Sequence, residues 1–240
     1  MFDRLLCLLT LLTLLLLLPA AAAARELTLL AGDSIPPYAI AARDSGAEVE
    51  LLRAAFATQG VTLRFQYVPL ARVSRNVGLL EADGATRGSA GAGLFASRPY
   101  IRYQACVLGL GAAPQQLADL RRLRVAAFPG ARAELGPGFS AAVQGNAHYT
   151  EINNQLNQLN LLRLGRVDVV VADRLIANWH WQALHGEPPL RCLIPLPSQS
   201  YQAVFRRAAD AEAFDAGLLQ LRASGDYRRL MEKYGTLGVD

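Results

Sequence analysis

The stretch from Leu161 to Asp173 constrains the fold more than any other part of this 240-residue chain. Leu156, Leu159 and Leu162 recur at helical spacing among Asn and Gln, and Gly165 is the residue type that closes a helix in the left-handed conformation. Val169-Val170-Val171 follows, β-branched and apolar on both faces, which suits a strand covered by helices on either side. Asp173 sits at that strand's carboxyl end. In open α/β sheets ligands bind outside the carboxyl ends of the strands, so this acid is a candidate for holding a cationic group. Local sequence alone favours a helix cap for the segment Arg174 to Leu184, and the two roles are compatible.

Composition bounds the rest. Residues 1–24 read as a secretory signal: Arg4, an apolar run from Leu5 to Leu18, and small residues ending Ala22-Ala23-Ala24, with cleavage expected before Arg25. No other segment approaches membrane-spanning length. Cys7 leaves with the signal. An oxidising compartment permits a Cys106–Cys192 disulfide, while two separate buried thiols are an equal expectation. There is no CxxC pair and the three histidines lack metal-ligand spacing, so no metal or cofactor is expected. The net charge of +4 is carried by scattered arginines without interleaved aromatics, which argues against a nucleic-acid partner.

Along the chain, Glu26 to Leu30 predicts a first strand running into Gly32-Asp33 and the rigid Pro36-Pro37-Tyr38 loop. Tyr38 is there either as a ligand wall or as an anchor for its own loop. A helix opens at Gly46 with Val49, Leu52 and Phe56 on one face and acids in its first turn, where the helix dipole favours them. Val61 to Tyr67 alternates as a second strand, and a helical stretch from Ala71 to Glu81 carries Arg72 near the strand exit. The glycine-rich stretch from Asp83 to Gly93 matches neither phosphate-binding pattern. A strand through Cys106 to Leu110 precedes a linker at 111–114.

A second unit then repeats the alternation. Leu123 to Phe128 is a strand, and Pro129-Gly130-Ala131-Arg132 turns into a helix whose free amides attract anions, with Arg132 adding charge. His148 to Ile152 is a strand, and Asn153 or Asn154 caps the next helix. The Trp179, Trp181 and Leu184 group reads as a helix face packed on a sheet. Cys192 to Pro197 is a strand followed by a linker, Ser198-Gln199-Ser200. The helices marked by Phe214, Leu218 and Leu221 and by Leu230, Met231 and Tyr234 are too few for a third core. They return to the first lobe, giving lobe 1 as 25–111 plus 199–240 and lobe 2 as 112–198.

Five groups of residues, in order, carry a resemblance: Gly32-Asp33 through Tyr38; Gly46 through Leu51; Ser97 with Pro99-Tyr100; Leu164 to Asp168 through Asp173; and Leu221 through Gly225-Asp226-Tyr227 to Gly235. On these the chain resembles the family 3 extracellular solute-binding proteins of polar amino-acid ABC importers. The resemblance implies a two-lobed α/β fold of the type II periplasmic-binding-protein kind, closing on a small-molecule ligand. It also implies a periplasmic monomer without catalytic residues that delivers its ligand to an inner-membrane ABC permease. Asp33, Tyr38, Arg72, Arg87, Ser97, Arg132, Asn154 and Asp173 are the expected ligand-binding residues. Of these, Tyr38 would cover the ligand and Asp173 would take its ammonium group.

The chain departs from the family twice. Ser89-Ala90-Gly91 stands where the carboxylate-binding arginine is usual, with Arg87 nearby, and Ala131-Arg132 replaces the usual second-lobe hydroxyls. Both departures weaken the expectation of an ordinary α-amino-acid ligand. A dehydratase resembling the cyclohexadienyl enzymes, with Glu151 or Asp173 as general acid, and a ligand sensor for a membrane receptor are the alternatives.

Overall fold

The computed structural model describes residues 25–73, 77, 81–91, 93–111, 114–185, 189–236 and 238–239. The expected signal, the middle of the predicted 71–81 helix, and part of the 111–114 linker lie outside the described residues. Among the described residues, no helix is long and apolar enough to cross a membrane.

The alternation of apolar strands and amphipathic helices produces two five-stranded mixed sheets. In the first, β1 (Arg25–Gly32) pairs in parallel with β4 (Val61–Val68) and β5 (Gly84–Ala85), and β12 (Val204–Phe205) and β6 (Phe95–Ala96) close the edge antiparallel. The tight Ser34–Ile35 and Ala39–Ile40 pair, β2 and β3, carries the Tyr38 turn. Helices α1 (Ala47–Ala57), α6 (Ala208–Ser224) and α7 (Asp226–Tyr234) cover one face. There Phe56, Tyr100, Phe205 and Phe214 form a buried aromatic cluster with centroid spacings of 5.5–6.0 Å. α1 and α6 approach so closely that a Cβ on Gly217 would lie 2.1 Å from the Ala55 carbonyl oxygen, which is why that helix position is glycine. β12 belongs to this first sheet, and the last two helices pack on its core.

In the second sheet, β9 (Tyr149–Glu151), β8 (Val125–Ala127) and β10 (Val169–Asp173) are parallel, and β7 (Ile101–Gly109) and β11 (Arg191–Tyr201) run antiparallel. The valine run of β10 is buried on both faces. Val169 and Val171 point into a core with Phe139 of α3 (Gly136–Val143), whereas Val170 and Ala172 pack with Leu159 of α4 (Gln155–Arg163) and Trp181 of α5 (Arg174–His185). Of the predicted tryptophan–leucine group only Trp181 is core, and Leu184 is exposed.

The expected second linker, 198–200, is strand. Ser198, Gln199, Ser200 and Tyr201 pair with Gln104, Tyr103, Arg102 and Ile101, because register shifts at Cys192/Ile194 and Pro195/Ser198 let β11 continue past its prolines. Two long antiparallel strands therefore join the sheets: Ile101, Tyr103 and Tyr201 pack with the first core, Cys106 and Leu108 with the second. A Cys106–Cys192 disulfide ties these same strands together. The expectation of two separate buried thiols fails, since Cys192 is exposed and bonded.

Candidate functional site

The carboxyl ends of the parallel strands of both sheets face one cleft. The chain leaves β1 toward Ile35, β5 toward Arg87, β8 toward Phe128 and Pro129, β9 toward Asn153 and Gln155, and β10 ends on Asp173. All of these residues line a cavity of 510 Å³, with Tyr103, Gln199 and Tyr201 of the two crossing strands forming its back. That volume lies within the usual range for small-molecule sites, about 300–1,000 Å³.

Tyr38 and Asp173 meet across the cleft. The Tyr38 hydroxyl donates to both Asp173 oxygens at 3.3 and 3.1 Å, and its ring stacks on Tyr103 at 3.5 Å between centroids. Tyr38 is 1% exposed and outside the cavity lining; the half-buried aromatic rings there are Tyr201 and Phe128. Asp173 also accepts from the amides of Leu175, Ile176 and Gln104 at 2.9–3.0 Å, which makes it the cap of α5 as local sequence indicated. Burial pushes its carboxyl above the usual range, opposed by the amides of Ile176 and Leu175, the Tyr38 hydroxyl and the Gln104 amide. Burial and then the adjacent Asp173 charge push the Tyr38 hydroxyl far up, so it stays a donor.

Arg87 is held from behind. Its guanidinium donates to Glu48 at 2.6 Å and to the Tyr103 hydroxyl, and lies 4.4 and 4.3 Å from the Tyr103 and Tyr201 ring centroids. The Tyr103 hydroxyl donates to the same Glu48 oxygen at 2.9 Å. Glu48 is fully buried, while the Arg87 side chain keeps 12% exposure toward the cavity. Glu48 was expected only as a first-turn acid of α1. The signal for its burial is that Leu51, Leu52 and Ala55, three, four and seven positions on, are all apolar and share its face.

The helix start at Gly130 is already occupied. Glu151 accepts from the Gly130 amide at 2.7 Å and the Arg132 amide at 3.1 Å, and from the Tyr149 hydroxyl at 2.7 Å. The Arg132 guanidinium lies 5.1 Å from the Tyr149 ring centroid in a separate surface hollow with Glu151. Burial tends to raise the Glu151 carboxyl, and the Tyr149, Gly130 and Arg132 donors outweigh it, holding it below its ordinary value. A depressed carboxyl stabilises above its unfolded pKa of about 4.3 and loses that contribution as pH falls through the folded value. Melting temperatures from pH 6 to 3 should fall more steeply for the wild type than for Glu151→Gln below about pH 4.3. Parallel curves would remove the role.

The remaining expected residues lie apart. Ser97 is buried, its hydroxyl accepting from the Ala203 amide at 3.1 Å and donating to the Arg98 carbonyl at 2.8 Å. Asn154 caps α4, accepting from the Asn157 amide at 3.1 Å, while its neighbour Asn153 lines the cavity. Asp33 and Arg72 are exposed and outside the cavity lining, although Leu70 and Ala71 beside Arg72 belong to it. Only Tyr38, Arg87 and Asp173 are brought together. Tyr103, Tyr201, Phe128, Glu134 and Gln155 carried no individual sequence signal, since their shared cleft comes from four separate chain segments.

No protein-family model and no curated protein matches the sequence. Solved structures do match. A histidine kinase sensor domain with similarity to periplasmic binding proteins superposes with a TM-score of 0.71, at 20% identity over 90% of this chain and 98% of that one. The L-cystine solute receptor of Neisseria gonorrhoeae, in its unliganded open conformation, gives 0.66 at 17% identity, covering 91% and 96%. This chain has the two-lobed fold of the periplasmic binding proteins. A substrate-binding protein of an amino acid ABC transporter gives 0.63 at 16% identity, covering 87% and 98%.

Proposed function

We propose that this protein captures a small organic solute between its lobes, in the periplasm, and hands it to an ABC transporter permease as a family 3 solute-binding protein. The observation that carries this reading is the 510 Å³ cavity walled by strand ends of both sheets and bridged by Tyr38 and Asp173. Closure would turn about the crossing strands near Ile101 to Gln104 and Ser198 to Tyr201, which pair antiparallel in the second sheet and lead the chain to and from the first. A solute-binding protein needs no general acid, and Asp173 is committed to four donors around it. The second reading is presentation of the ligand to a membrane receptor, favoured by the resemblance to a kinase sensor domain.

Thermal unfolding against a panel of amino acids, amines and small carboxylates tests capture. A ligand at about a thousand times its Kd adds roughly 4 kcal/mol, equivalent to about 8–16 °C for a chain of this size. No shift across the panel removes the reading. Where a ligand is found, its saturable uptake by cells carrying the intact gene, lost on deletion, separates transport from sensing.

A further inference from the structure

Resting on the capture reading, we infer that the cleft selects an organic cation with an apolar body and no carboxylate. Three devices bordering this part of the second lobe and the cleft suit an anion: the Arg87 guanidinium and the amide-bearing starts of two helices. Each already has one of the chain's own carboxylates against it, although the Arg87 Nε remains buried without a partner. Glu48 takes Arg87 at 2.6 Å, Glu151 takes the Gly130 and Arg132 amides, and Asp173 takes the Leu175 and Ile176 amides. A ligand carboxylate at Arg87 would compete with Glu48 for a charge already offset, and displacing Glu48 would leave a charge with no exposure and no counter-ion.

The charge facing the cavity has the opposite sign. Among the described residues lining it, Arg87, Glu134 and Asp173 are charged, and Arg87 is neutralised from behind by Glu48. Two uncompensated carboxylates remain. Asp173 has its oxygens filled by backbone and Tyr38 donors and acts through its charge; Glu134, exposed at the mouth, is free to accept directly. Gln155 gives an independent pointer. It lines the cavity, and its side-chain oxygen is buried without a hydrogen-bond partner, an acceptor that the chain itself leaves unmet. The remaining surface, including Ile35, Leu70, Phe128, Leu135 and Ile176, suits an aliphatic or aromatic body.

The test is calorimetric titration of the protein with two matched sets: 2-phenylethylamine, phenylalanine and 3-phenylpropionate, and isoamylamine, leucine and 4-methylpentanoate, each preceded by the thermal panel above. The amine is expected to bind roughly tenfold or more tightly than its amino acid, with the carboxylate silent. Glu134→Gln, a change at an exposed side chain that should leave the unliganded melting temperature in place, is expected to weaken the amine by roughly tenfold. An amino acid or carboxylate that binds as tightly as its matched amine overturns the cation inference and leaves capture standing. Unaltered amine affinity in Glu134→Gln overturns the assignment of that carboxylate. Silence of all six compounds and of the whole panel overturns both readings together.

Discussion

Glu48→Ala is expected to lower the unfolding free energy by about 3–5 kcal/mol, a fall in melting temperature of roughly 6–20 °C. The variant strands Arg87 between two tyrosine rings without its counter-ion and removes the oxygen that accepts from the Tyr103 hydroxyl. Glu48→Gln keeps an acceptor of the same shape and should lose less. The decisive arm is the double variant Glu48→Met with Arg87→Met. Two apolar side chains of similar length dispense with both desolvation penalties, so stability should recover most of the way to the wild type. Urea unfolding of the wild type, Glu48→Met, Arg87→Met and the double variant closes the thermodynamic cycle. Additive single effects would mean that the two side chains do not act as a pair, and Arg87 would again be available to a ligand anion.

The second large effect belongs to the disulfide. Cys106 and Cys192 close a loop with a sequence separation of 86, and in the chain-entropy description a loop of that length stabilises by about 4.5 kcal/mol. Replacing both cysteines by alanine should therefore lower the unfolding free energy by about 2–5 kcal/mol. Dithiothreitol should lower the wild-type melting temperature and leave that of the variant unchanged. Equal behaviour of wild type and variant under reductant would show that the bridge contributes nothing. The loss should also reach ligand binding, because the bridge ties β7 to β11, the two strands that cross between the lobes.

Much of the fold was legible because it rests on local pattern. The valine run of β10, with Gly165 before it and Asp173 after it, specified a two-faced buried strand and the cap of the next helix, and both stand. The error at 198–200 was also local: proline and serine read as a linker, but β7 offered a partner whose register two irregularities could absorb. That partner lies about a hundred residues upstream, and short-range pattern carries no trace of it.

The site was legible one residue at a time and illegible as a set. By itself the sequence determined which side chains carry charge, where strands and helices alternate, and that Asp173 would sit at a strand exit. The tertiary structure alone decided which charges cancel. Arg87 meets Glu48, the Gly130 helix start meets Glu151, and Asp173 meets Tyr38 only because two sheets bring distant segments into one low-dielectric space. In that space a carboxylate a few ångströms away outweighs any preference written in a residue's own neighbourhood.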